Sequence, residues 1–216
     1  MRPRVGFLGV GHEVRHYAIA PGASILARAR VDAAYGENLM HYANASESGL
    51  AWMLERFALG EPALREFLVD CIEVVRARPE LPSMECDLDR QYEALEYVLC
   101  RTGDAGESLS RACRGGDRIG EASGVQGFPH RLIEAEEVPS IATALRGVDA
   151  QALRLVFRRV AHEMHGEAVY KATPPEYLDP EAMKEWEDQL AELFLSLRTF
   201  FERVEALGVA VFTSTD

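Results

Sequence analysis

Asp179-Pro180-Glu181 opens a helix, and Gly208-Val209-Ala210-Val211-Phe212-Thr213 ends it and leaves as an extended strand. The aspartate suits an N-cap. The proline at the first helical position gives up only an N–H that would have no helical partner, and the glutamate faces the positive end of the helix dipole. Leu190, Leu193, Phe194, Leu197, Phe201 and Val204 recur three and four apart, so the helix has one continuous apolar stripe, and Gly208 fits a C-terminal stop. A long amphipathic helix that runs into the terminal strand Val209 to Thr213 points to a sheet built in part from the chain ends.

Partners for that strand lie far upstream. Val14 to Ala20 alternates as a strand does and is ended by Pro21-Gly22, while Val5 to Val10 reads as another strand or an ordered arm. Arg131 to Ile133 is a short extended piece. Helical periods fill much of the rest. Ala23 to Arg30 is a short helix, and Gly49 to Leu59 places Leu50, Met53, Leu54 and Phe57 on one side. Glu61 to Arg78 is stronger, with Leu64, Phe67, Leu68, Cys71, Ile72 and Val75 in a stripe that Pro79 and Pro82 stop. Val31 to Ser48 has no clear period.

Asp87 is placed to cap a helix that turns Leu88, Leu95, Val98 and Leu99 inward, until Gly103 and Gly106 break the chain. From Thr102 to Phe128 the composition is rich in Gly, Ser and Asp, which predicts a long surface loop with one helical turn around Leu109 to Cys113. A helix from about Ala135 to Arg146 follows. The next is capped by Asp149 and lined by Leu153, Val156, Phe157, Val160 and Met164. Strands and helices do not alternate, so a doubly wound parallel sheet is disfavoured. The expectation is a mostly helical α+β single domain with a small, largely antiparallel sheet, in which residues 31–80 form a helical insertion.

Composition narrows the function. The 216 residues, 48% of them apolar, suffice for a full core, and 35 acidic against 23 basic residues give a net charge of -12. Such a charge repels phosphate backbones and anionic membranes, so nucleic acid and membrane partners are disfavoured and a basic protein partner is favoured. No apolar run is long enough to span a bilayer and no signal peptide is read, which predicts a cytoplasmic protein. Cys71, Cys86, Cys100 and Cys113 stand thirteen to fifteen residues apart with no CxxC pair, and are read as reduced thiols.

The stretch Asp87, Asp89, Arg90, Tyr92, Leu95 and Glu96 is similar to the Asp-x-Asp-Lys-x-Trp then Leu-His helix start of the YfbM-like family, small bacterial proteins known as a domain of unknown function. Pro129, Arg131, Glu136, Glu137 and Val138 resemble its Pro-x-Arg piece and Glu-Glu-Val helix. Tyr170 near Pro174 resembles its Tyr-Pro segment, and Tyr17-Ala18-Ile19-Ala20-Pro21 its opening strand and turn. The resemblance runs from about Glu85 to Asp216 and leaves most of residues 31–80 outside it. It implies a compact bacterial α+β protein and supplies no reaction. Glu96 stands where the family has histidine.

Several groupings carry candidate chemistry. His162 and His165, three apart on a helix, share a face that could hold a metal, but the spacing falls one short of HExxH and Arg158 and Arg159 make that face cationic. Gly6-Phe7-Leu8-Gly9-Val10-Gly11 lacks the third glycine of a dinucleotide loop, Val14 standing in its place. No cofactor is expected. Asp89, Tyr92, Glu93 and Glu96 line one face of a helix that Glu85 and Asp87 precede; the carboxylates raise one another's pKa for acid–base work, present a negative patch to a partner, or simply cap the helix (Asp87, Asp89) and face solvent (Glu93, Glu96). His130 and Arg131 follow the predicted loop. They are read either as structural pairs or as framing a polar pocket with Asp89, Tyr92 and Tyr170. Two functions remain open: a non-catalytic interaction module with an acidic surface, and a small-molecule-binding protein or hydrolase using that pocket.

Overall fold

The strand at the chain's end is the middle of a five-stranded sheet. The computed structural model describes residues 13–42, 45–102, 105–119, 130–166, 169 and 179–215. Its strands are β1 (Val14–Ile19), β2 (Glu85–Asp87), β3 (Asp117–Ile119), β4 (His130–Ile133) and β5 (Ala210–Thr215), in the order β2-β1-β5-β4-β3. Every pairing is antiparallel. Nine α-helices surround it among the described residues: α1 (Ser24–Ala29), α2 (Ala33–Gly36), α3 (Glu47–Arg56), α4 (Pro62–Ala77), α5 (Tyr92–Leu99), α6 (Gly106–Arg114), α7 (Val138–Arg146), α8 (Ala150–Gly166) and α9 (Pro180–Leu207).

Strand alternation divides the core in two. Tyr17, Ile19, Leu132 and Phe212 point to one face, where they meet Ile25, Leu26, Tyr35, Leu39, Phe67 and Leu68 from α1 to α4 and the 3-10 turn after α2. Ala18, Ile133 and Val211 point to the other and meet Leu95, Val98, Ile141, Phe157, Phe194 and Phe201 from α5 and α7 to α9. The sheet therefore lies between two helical layers. Burial of each large apolar side chain contributes about 1.5–3 kcal/mol against the entropy of ordering it. The helices of residues 31–80 join α1 in covering this face of the sheet, and Tyr42 ties them to it by donating its hydroxyl to the carbonyl of Ala18 at 3.0 Å.

Local signals explain the ends of α9. Asp179 Oδ1 accepts from the amide of Ala182 at 2.8 Å, Pro180 follows, and Gly208 takes the left-handed conformation, φ 60°, that closes a helix at no steric cost. Asp149 caps α8 by accepting from the amide of Ala152.

Three expectations are corrected. Among the described residues there are five strands, of which β2 and β3 were not read as strands. Asp87, taken as a helix cap, belongs to β2, and α5 begins only at Tyr92 after a 3-10 turn, Asp89–Gln91. The region read as a long loop contains α6 and β3, and α6 buries Leu109, Ala112 and Cys113. Three-residue strands carry no period of their own and are defined by pairing, which sequence pattern does not reveal. Val5 to Val10 and the glycines Gly6, Gly9 and Gly11 lie outside the described residues. No helix among the described residues is long and apolar enough to cross a membrane.

Candidate functional site

The candidate residues gather at three places. The first is the margin formed by β2. Asp87 Oδ1 accepts from the amide of Asp89 at 2.8 Å, and its Oδ2 pairs with Arg15 Nε at 3.1 Å. That turn holds Asp89 at φ 47°, a left-handed position that Asp tolerates better than most residues. Leu88 is buried behind it. Asp89 and Gln91 then face Gln189, Glu192, Leu193 and Ser196 of α9 across a depression of about 260 Å³. A second depression, about 290 Å³, shares Ser196 and is lined by Glu85, Leu195, Thr199, Phe200 and Arg203. Together they form a trough between α9 and the sheet edge.

Among the described residues the backbone of β2 is open on that side. Leu88 donates to the carbonyl of Val14 at 2.9 Å and Ala18 donates to the carbonyl of Met84 at 3.0 Å. With His16 opposite Cys86, the even-numbered residues turn to β1. The N–H and C=O groups of Glu85 and Asp87 therefore point away from it.

The second place is the far side of α5. Tyr92 donates to Glu93 at 3.2 Å, and burial pushes its phenol up to about 12. Glu96, 12% exposed, accepts from Ser110 Oγ and from Arg114 Nε, both at 2.5 Å. Arg101 lies 3.4 Å over the ring of Tyr97. Glu96, Tyr97, Arg101 and Arg114, with Glu93, Cys100 and Val169, surround a hollow of about 350 Å³. Cys100 donates to the carbonyl of Gly106, and burial raises its pKa. Cys71 and Cys86 are pushed up to about 12, and Cys113 is raised well above its ordinary value, in each case mainly by burial. All four are thiols at neutral pH, a poor state for nucleophilic attack or metal ligation.

The third is a polar row across the sheet, on the face toward α5 to α9, which sequence reasoning missed except for Arg131. Cys86, His16, Thr213, Arg131 and Arg118 are successive cross-strand partners on β2, β1, β5, β4 and β3. His16 Nδ1 lies 2.9 Å from Thr213 Oγ1, and the ring stacks on Phe200 and meets Phe201 edge-on. Burial pulls its pKa down to about 4, against the weaker opposing effect of a hydrogen bond to the backbone of Ala112. Arg131 Nη1 donates to the carbonyl of Gly116 at 3.0 Å. Burial, followed by Arg118 and Arg114, lowers its pKa, with Asp117 working against them. The Gly115-Gly116 corner presses on this row: a Cβ on Gly115 would sit 2.5 Å from Thr213 Oγ1, and one on Gly116 1.9 Å from the Leu132 carbonyl. The signal in the sequence was a histidine at an apolar parity position of β1, between Val14 and Ala18.

The remaining candidates do not converge. His130 and Arg131 are consecutive on β4 and face opposite sides; His130 is buried with its ring 5.2 Å from Phe212 in the α1–α4 layer. Arg131 is separated from Asp89 by β1 and β5. Tyr170 lies outside the described residues. His162 is exposed on α8, the side chain of His165 lies outside the described residues, and the neighbouring Arg158 forms a two-bond pair with Glu187. Among the described residues no three His, Cys, Asp or Glu side chains are grouped to hold a metal.

An antiparallel five-stranded sheet between two helical layers, with a polar row under one of them, defines a helix-rich α+β protein. Residues 42–214 match the family described as Domain of unknown function (DUF1877), and the chain belongs to that family. The match takes in much of the layer of residues 31–80. Among solved structures, the chain is similar in fold to YfbM from Escherichia coli, a protein of unknown function, at a TM-score of 0.50 and 13% identity. That similarity covers 93% of this chain and 98% of the other. Comparison with curated proteins found no match.

Proposed function

We propose that this protein is a non-catalytic interaction module whose acidic margin binds a basic, extended segment of a partner protein. The carrying observation is the open backbone of Glu85 and Asp87 beside the trough along α9. An added strand would find main-chain donors and acceptors there. Leu193, Leu195 and Phe200 offer apolar floor, while Glu85, Asp89 and Glu192 outnumber Arg203 on the walls and favour Lys and Arg. The net charge of -12 steers a cationic partner over longer range.

Selection from a displayed library of unstructured peptides tests this. Enriched sequences should alternate apolar and basic residues. Asp89→Asn and Glu192→Lys, both at exposed positions, should weaken binding at least tenfold, with the largest amide shifts on binding at Glu85 and Asp87. Failure to enrich any sequence, or enrichment indifferent to both substitutions, removes the reading.

A further inference from the structure

A second charged locus lies at the opposite margin of the sheet and has the opposite sign. Arg118 on β3 and Arg131 on β4 are directly paired cross-strand partners, so their side chains leave the same face. Like charges set opposite each other in an antiparallel pair are destabilising. Arg111 and Arg114, on the last turn of α6, add to the positive potential at Arg131.

The acids nearby are already engaged. Glu96 holds Arg114, while Glu137 and Asp117 hold Arg111. Asp117 is 86% exposed, a weak counter-charge for the row, and the carbonyl end of α6 supplies only partial negative charge. Neither Arg118 nor Arg131 forms an ion pair among the described residues. In a chain with a large excess of acids, two adjacent arginines stand without one among the described residues.

Their donors are available. Arg131 spends one N–H on the carbonyl of Gly116, and none of its other nitrogens is buried without a partner; Arg118 is exposed. Gly115 and Gly116 fix the corner against which Arg131 lies, since a Cβ at Gly115 would come within 3.0 Å of that of Arg131. Arg131 is thus held in place beside Arg118, with the rest of its guanidinium uncommitted among the described residues.

We infer that Arg118 and Arg131 form a binding site for a doubly charged oxyanion of the phosphate class. A tetrahedral dianion matches two guanidinium forks in charge and in hydrogen-bond geometry and relieves the cross-strand repulsion. The site is independent of the trough, from which it is separated by the width of the sheet.

Titration of the full chain with inorganic phosphate, with phosphoserine and with acetate, at ionic strength matched by chloride and read by the Nε–Hε resonances of the arginines, tests the site. Phosphate or phosphoserine should give saturable shifts at Arg118 and Arg131, and the tighter of the two distinguishes a free ion from a phosphoryl ester. Acetate should bind at least tenfold more weakly. Arg118→Gln, an exposed change that leaves the Gly116 contact intact, should weaken phosphate at least tenfold with an unchanged circular dichroism spectrum. Arg131→Lys should keep the charge and lose most of the affinity. Shifts no larger than chloride produces, or an Arg118→Gln variant that binds as the native chain does, overturn the inference.

Discussion

His16 shows how one residue ties the sheet to the pH of its surroundings. Buried against Phe200 and Phe201, it stays neutral in the folded chain down to about pH 4, whereas the unfolded chain protonates it near 6.5. Because the folded pKa is the lower one, the unfolded state binds the extra proton. Stability is therefore complete above pH 6.5 and falls as pH drops from 6.5 to 4. The difference corresponds to about 3 kcal/mol. Urea denaturation of His16→Leu across this window should show most of that slope removed, even though losing the Thr213 contact lowers the plateau. His41, half-buried and shifted in the same direction, should account for a smaller residual slope. The candidate site was only partly legible at this scale. Asp89 and the acids of α5 were found because carboxylates at a helix start are conspicuous. That Glu96 is committed to Arg114 and Ser110, and that His130 faces away from Arg131, depends on contacts between residues distant in sequence.

Among the elements, α9 was the most legible and carries much of one layer. Its cap, its proline and its terminal glycine act through the adjacent backbone, so sequence order alone announces them. Asp179→Ala removes the bond to the Ala182 amide and should cost about 1 kcal/mol in chemical denaturation, with no change of fold. β2 and β3 lie at the other extreme. Glu85–Asp87 is a strand because β1 offers Arg15, His16 and Tyr17 at the right register, and nothing within the three residues says so. α6 was read as a turn because Gly106, Ser108 and Ser110 lower helix propensity. It forms because Leu109, Ala112 and Cys113 are drawn into the core, a tertiary gain that outweighs local preference.

For the whole molecule, the decisive arrangement is one sheet serving two cores. β5 is buried on both faces, so removing either layer of helices exposes the same strand. The two layers should therefore unfold together. Cys71 and Cys113, both fully buried, report on opposite layers. In variants that retain one or the other as the only thiol, labelling protection should vanish at the same urea concentration. Two separate midpoints would show the α1–α4 layer to be an independently stable unit.

Among the described residues, both margins of the sheet are strands of three residues. A stranger docking there gains a few main-chain bonds and then runs out of template, so side-chain chemistry must decide which segments stay. The same brevity protects crowded or newly made chains: two copies meeting edge to edge share too little backbone to begin a growing fibre.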